Sequence, residues 1–471
     1  MYMNIFLMPK KYIFNNKKLD KYQTKAVLCK KPVYLVVAGA GSGKTLTIEA
    51  KIDYLLKNNY KKEEILCISF TNETVNSLKS RLQENNNLVD VKTFHRLALD
   101  ILGSGYNISS SNLLEYIIEE YFESIIYQDN TYKLLNYIDN IDNLKNIICT
   151  FINQFKSLNL TIDYFLYLLS SKAIKTEEKI ILVIIFKVYI IYQEELKSEN
   201  KIDFNDMINL AINKVDELTR FKYSYIIIDE YQDTSKMKYL LIKKIVDRFN
   251  TKIMAVGDDY QLIYSFTGSN ISLFTKFKKY FKSSKIIKIK NNYRNPSDIV
   301  EISKRMILKN RNQINKRLKA NKNIKDSIIV VYYQDLIKDF EIIIKDIDNI
   351  MVLGRNNKDL DLLKELNIEK NIHYMTIHSA KGLEEDNVIV LNNIDDTLGF
   401  PNKINNSDIL SYLFNYNQME EERRLFFVAL TRAKEKVFLF TIKGKESIFV
   451  KELIKNYKYK IKIIDLNQKK L

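Results

Sequence analysis

The chain has 471 residues, 46% hydrophobic and 28% charged, with 74 Lys plus Arg against 57 Asp plus Glu and a formal net charge of +17. That length exceeds one compact domain, and the apolar share excludes a disordered chain. Three cysteines (Cys29, Cys67, Cys149) and three histidines are too few for a disulfide framework or a four-thiolate zinc site, and the surplus of cations favours a polyanionic partner, nucleic acid ahead of an anionic membrane.

From the N-terminus, MYMNIFLMPKKYIFNNKK carries its lysines after its apolar residues, the reverse of a secretory signal. Residues 32–37 form a short apolar run that ends at a glycine-rich turn, and the chain from Thr45 onward has helical composition. Further strand-like runs follow at 65–70, 225–229, 252–257, 285–290, 328–332, 350–353, 388–391 and 437–441. Their unbroken apolarity, with helical segments between them, predicts parallel sheets covered on both faces. The runs fall into two groups, before and after about residue 285. The expected fold is therefore α/β with two domains, 1–105 plus 200–284 and then 285–471. Residues 106–199 differ: Leu113/Leu114, Ile117/Ile118, Tyr121/Phe122 and Ile125/Ile126 recur every four residues, which predicts a helical insertion into the first domain. The longest apolar stretch, 180–192, is broken by Lys187 and falls short of the roughly 20 residues of a membrane helix. A cytoplasmic location is the expectation.

Ala38, Gly39, Ala40, Gly41, Ser42, Gly43, Lys44 and Thr45 spell a phosphate-binding loop with Ala where the strict pattern has its first Gly. Glycines let backbone N–H groups turn inward around phosphate oxygens, and the helix that follows adds its positive end. Lys44 is suited to the β/γ-phosphates and the Thr45 hydroxyl to Mg²⁺. The run ending in Asp229-Glu230 is the natural partner: Asp229 for the metal, Glu230 to orient and deprotonate the attacking water. Strands often end in acidic residues, so that run alone is weak evidence. Together the two segments read as an ATP-type NTPase.

Other segments occur in a telling order: LDKYQTKAV at 19–27, SFTN at 69–72, TFH at 93–95, DEYQDT at 229–234, VGDDYQ at 256–261 with IYSF at 263–266, NYR at 292–294, VLGR at 352–355, TIHSAKGLE at 376–384 and EERRLFFVALTRA at 421–433. This ordered set, covering about residues 19–440, resembles the UvrD/Rep/PcrA group of superfamily 1 DNA helicases. The resemblance implies two RecA-like domains with ATP between them. It implies Gln23 on adenine with Tyr293 stacked against it, Glu384 on the ribose, and Gln261 coupling the γ-phosphate to the DNA groove. Arg294 and Arg432 would be arginine fingers from the second domain. Phe70, Tyr264 and Phe266 would stack on bases, while Thr71, Thr93, His95, Arg355, Thr376 and His378 would hold the DNA backbone or its surroundings. The implied activity is ATP- and Mg²⁺-dependent 3′→5′ translocation on single-stranded DNA, with unwinding at single/double-strand junctions. The alternatives are a DNA-stimulated ATPase that remodels protein–DNA complexes or needs a partner to unwind, and a non-catalytic DNA-binding module.

Several positions depart from the group's pattern. Leu46 stands where an Arg usually follows Gly-Lys-Thr. Leu262 and Thr267 replace a Ser and an Arg, Glu73-Thr74-Val75 replaces Lys-Ala-Ala, and Glu385 replaces an aromatic. From Arg294 to Thr376 there are only 82 positions (376 − 294), enough to complete the second α/β domain but not to hold the group's helical 2B subdomain. With 39 residues after Arg432 (471 − 432), no appended nuclease domain is expected. A monomer follows, with the helical insertion as docking surface for a protein loading partner.

Overall fold

The computed structural model describes residues 12–110, 112–126, 141–366, 368, 370–403, 408–413 and 417–466. Twelve strands, numbered in chain order, build two six-stranded sheets. The first contains β1 (Val33–Ala38), β2 (Ile65–Ser69), β3 (Asp90–Thr93), β4 (Tyr225–Ile228), β5 (Lys252–Gly257) and β6 (Lys285–Ile289), in the order β6-β1-β5-β4-β2-β3. The second contains β7 (Ile328–Tyr332), β8 (Ile350–Gly354), β9 (Ile372–Thr376), β10 (Glu385–Val390), β11 (Ala433–Thr441) and β12 (Lys462–Asp465), in the order β9-β8-β10-β11-β7-β12. Every pairing within these sheets is parallel.

Both faces of the first sheet are covered, as unbroken apolar strands require. Successive β1 side chains point to opposite faces. Leu35 and Val37 join Phe94, Leu97 and Ile242 on one side, while Tyr34 and Val36 join Ile48, Ile52 and Leu78 on the other. The second sheet repeats this with Val330 and Leu439 on one face, Val331 and Phe440 on the other.

One expected boundary is wrong. The strand at 285–289, grouped above with the second domain, pairs with β1 from Lys285↔Tyr34 to Ile289↔Ala38, so the first α/β lobe extends past residue 284. A Lys/Ile-rich run specifies a strand; its sheet is decided by a pairing that local sequence does not encode. Of the twelve strands in these two sheets, three were not anticipated: β3, β9 and β12. Each lies at a sheet edge with partly exposed side chains, so none shows the continuous apolar run of a central strand.

Among the described residues of the predicted insertion stand four helices: Leu113–Ile126, Ile141–Ser157, Ile162–Ser170 and Thr176–Ser198. Ile118, Phe151, Phe155, Phe165 and Ile185 are fully buried in their common core. That core also takes Ile409, Leu410 and Leu413 from a second-lobe segment containing the short helix Asp408–Ser411. Tyr164 Oη donates to the Tyr412 carbonyl at 2.6 Å, and Tyr412 Oη donates to Glu178 at 2.8 Å. Among the described residues between Arg294 and Thr376 stand helix Ser297–Ile307, strand Lys319–Lys322, β7, helix Leu336–Ile344, β8, helix Lys358–Lys364 and β9, with no added helical subdomain.

Candidate nucleotide site

The loop from β1 to helix Lys44–Leu56 crosses directly under the second lobe. Gly41 and Gly43 have φ of 64° and 77°, which side chains rarely adopt, and neither has room for a Cβ. A Cβ on Gly41 would lie 2.4 Å from Arg294 Cβ, and one on Gly43 would lie 2.6 Å from Gln23 Nε2. Ser42 Oγ donates to the Gly39 carbonyl at 2.8 Å, holding the loop in shape. Asn292 Nδ2 donates to the Ala40 carbonyl at 2.8 Å, and the Tyr293 N–H donates to Gly41 at 2.8 Å.

Asp229 follows β4, with its N–H on the Ile68 carbonyl and its Oδ1 accepting from the Glu230 N–H at 2.8 Å. Lys44 Nζ lies 2.7 Å from both carboxylate oxygens of Glu230. Burial works against charge on all three groups. For Glu230 that effect is outweighed by Lys44 and Lys381, which hold its carboxyl down at about 2. For Asp229, burial and the neighbouring Glu230 prevail and push the carboxyl up to about 6. A buried carboxylate whose charge is poorly compensated is a fitting ligand for a divalent cation. Among the described residues there is no group of three or more His, Cys, Asp or Glu that could hold a metal. Asp229 and the Thr45 hydroxyl are oxygen donors of the kind Mg²⁺ takes.

The second lobe contributes two arginines, Arg432 and Arg294, the latter with its Cβ against Gly41. Arg432, 1% exposed, donates from Nη2 to Gln261 Oε1 at 3.3 Å and from Nη1 to the Leu383 carbonyl at 3.0 Å. Burial and the nearby Arg294 push it down to about 9. Arg294 reaches the Thr431 carbonyl at 3.3 Å and pairs with Glu384 at 2.5 Å. Glu384, expected at a ribose, is therefore engaged by an arginine. Gln23, expected at adenine, is 3% exposed; its Oε1 accepts from the Asp20 N–H and its Nε2 donates to the Ser42 carbonyl. The Tyr293 ring is 41% exposed, with its hydroxyl on Asp20 at 2.8 Å.

The residues expected along a DNA track fall into two groups. On the first lobe the Phe70 ring packs against Phe94 under the Lys238 ammonium, and His95 lies against Phe204 with ring centroids 5.1 Å apart. Thr71 and Thr93 cap helices Asn72–Glu84 and Phe94–Leu102. At the junction of the lobes, Tyr264 donates to the His378 carbonyl at 3.2 Å, with Lys381 Nζ 4.7 Å from its ring centre. Thr376 bonds Ser379 at the end of β9. Arg355 grips Glu422 through Nε and Nη2, at 2.9 and 2.6 Å to one oxygen. The backbone of Phe266 lies in the turn Ser265–Thr267, and its side chain is outside the described residues.

Sequence reading passed over Phe204, Lys238 and Gln232. Phe204 is 49% exposed directly after Asp203, the cap of helix Phe204–Lys214; an aromatic at a helix's first position was the available signal. Gln232 links Glu230 at 2.7 Å to the Asp258 N–H at 2.9 Å, and only the fold reveals that bridge.

The UvrD/REP helicase N-terminal domain model matches residues 19–282, and the UvrD-like helicase C-terminal domain model matches residues 355–444. The chain belongs to the UvrD/Rep helicase family. Similar proteins include ATP-dependent DNA helicase PcrA of Staphylococcus epidermidis, 27% identical over 78% of this chain and 51% of its own length. ATP-dependent DNA helicase Rep of Buchnera aphidicola is 31% identical over 72% of this chain and 53% of its own. DNA helicase IV of Escherichia coli is 26% identical over 93% and 70%. The chain spans about half the length of the PcrA and Rep relatives. Among the described residues, no helix is long and apolar enough to cross a membrane.

Proposed function

We propose that this family member is an ATP- and Mg²⁺-dependent motor that moves 3′→5′ along single-stranded DNA and opens single/double-strand junctions. The observation that supports the reading is the contact of Arg432, from the second lobe, with Gln261, from the first, as a phosphate site shared by both lobes would require. Lys44 and the loop N–H groups would bind the β/γ-phosphates. Asp229 and Thr45 would hold Mg²⁺, which supplies charge neutralisation when bound. Glu230 would take the proton of the attacking water, and Arg294 and Arg432 would stabilise charge that grows on the transferred phosphoryl group. Because those arginines belong to the opposite lobe, hydrolysis changes how strongly the lobes attract, and the aromatic and threonine groups on each would ratchet along a strand. Tyr264, Phe70 and Phe204 would grip bases by stacking, worth about 1–3 kcal/mol per base and indifferent to sequence.

ATP turnover with and without oligo-dT, followed by strand displacement on duplexes with a 3′ or a 5′ tail, tests this. DNA-stimulated turnover and opening from the 3′ tail are expected. Turnover without displacement would leave a DNA-stimulated remodelling ATPase, and no turnover would remove the motor reading.

A further inference from the structure

Lys316 lies in the segment between helix Ser297–Ile307 and strand Lys319–Lys322, far in sequence from every motif above. Its side chain is 0% exposed. Nζ stands 2.5 Å from Asp258 Oδ1 and 2.6 Å from Asp259 Oδ1, both side chains also 0% exposed, and 3.0 Å from the centre of the Tyr260 ring. The segment is also fastened two residues before this contact, at Ile314. The Ile314 N–H donates to Asp259 Oδ2 at 2.7 Å, and Tyr260 Oη donates to the Ile314 carbonyl at 2.9 Å.

Asp258 is the node between the two halves of the phosphate site. Its Oδ2 accepts from Gln261 Nε2 at 2.6 Å, which turns the amide so that Oε1 faces Arg432. Its N–H donates to Gln232 Oε1, whose Nε2 donates to Glu230. Amide orientation matters here. If the Asp258 carboxylate turned away, Gln261 would lose the acceptor that fixes its Nε2, and a rotated amide would present N–H groups to the guanidinium, donor against donor. Two fully buried carboxylates cannot both stay ionised without a cation, since breaking a buried pair leaves an uncompensated charge. The described residues place Lys316 as the ammonium in direct contact with both.

We propose that Lys316 is a positioning residue for ATP hydrolysis: by holding the Asp258 carboxylate in place, it fixes the orientation of Gln261 toward Arg432. This rests on the motor reading above. Lys316 touches no element of the phosphate-binding loop through these bonds, so it acts on turnover rather than on nucleotide binding.

The test uses the full chain and the variants Lys316→Met, Asp258→Asn and their combination. Thermal melting, binding of a fluorescent ADP analogue, and KM and kcat for ATP at saturating oligo-dT are measured for each. Lys316→Met is expected to lower kcat about 10-fold or more, with KM and analogue affinity within about 3-fold of the parent. Asp258→Asn leaves Lys316 paired with Asp259 and is expected to fold, with an equal fall in kcat. The combined variant falls no further than either single one, because all three break the same path. A kcat within about 2-fold of the parent in folded Lys316→Met, or in Asp258→Asn should Lys316→Met not fold, overturns the proposal. So does a fully multiplicative loss in the combination. A parent chain that hydrolyses no ATP overturns the motor reading instead, a result these variants cannot mimic.

Discussion

Lys44 holds both oxygens of Glu230, so in this state the proposed base is paired and weakly basic. Phosphates arriving in the loop would compete for that ammonium and release the carboxylate. Lys44→Ala is therefore expected to lose turnover and nucleotide affinity together. Glu230→Gln should keep affinity, because Asp229 and Lys44 remain, while turnover falls by about 10²-fold or more. Nucleotide titration beside steady-state turnover separates the two. His95 and His378 make a second prediction. Burial, aided by Lys238 beside one and by Arg355 and Lys381 beside the other, pushes both down to about 4. Their ordinary value is near 6.5, so between about 6.5 and 4 the unfolded chain binds more protons than the folded one. Stability from these groups is complete above that window and lost as pH falls through it. Melting temperature should drop from pH 7 to pH 5, and less steeply in His95→Gln. An unchanged slope would mean that His95 titrates freely in the fold. At this scale the loop glycines were legible because the left-handed backbone at Gly41 and Gly43 favours that residue type. Arg355 was not: that its guanidinium would be taken by Glu422, 67 positions away, is invisible in VLGR.

The second-lobe segment 408–413 lends three apolar side chains to a core otherwise made by the helical insertion. Ile409, Leu410 and Leu413 are 2%, 8% and 9% exposed there, so the insertion is tied to both lobes and its core is complete only with them. Leu410→Asp removes one buried aliphatic group and adds a charge in its place, a loss of about 3 kcal/mol or more. A lower melting temperature is expected, with ATP turnover retained at temperatures well below it. An unchanged melt would show that the docking contributes nothing to stability. The insertion itself was readable from its four-residue stripe: Leu114, Ile117, Ile118 and Phe122 are the buried face of the first helix. Its borrowed residues were not, since six positions at 408–413 carry too short a pattern to declare a distant partner.

The net charge of +17 is the long-range feature. Binding to single strands should weaken steeply with salt and vary little among base sequences, because cations that neutralise phosphates release counterions. Titrations of oligo-dT and a mixed-sequence strand at two salt concentrations check this; a strong sequence preference would count against backbone-plus-stacking recognition. The interval between Arg294 and Thr376 holds, among the described residues, only elements of the second lobe and its junction. A restraint residing in an inserted helical subdomain there has no residues to reside in. One copy should therefore translocate without an activating partner, which stopped-flow fluorescence on end-labelled oligo-dT can follow across protein concentrations. Movement that appears only at high concentration would refute the single-copy motor.

The sequence by itself determined the family and the class of fold. A glycine-lysine-threonine turn after an apolar strand, an Asp-Glu after another, and two groups of unbroken apolar runs each have one common physical solution, and each depends on neighbours within a few residues. Tertiary structure alone decided which groups those residues meet. β6 pairs with β1 across 251 positions (285 − 34), Tyr412 reaches Glu178 across 234, and Lys316 enters the Asp258–Asp259 pair from a segment with no pattern of its own. The reason is physical: periodicity and backbone preference act over one or two turns of chain, whereas ion pairs and strand edges are satisfied by whatever the folded path brings within 3 Å.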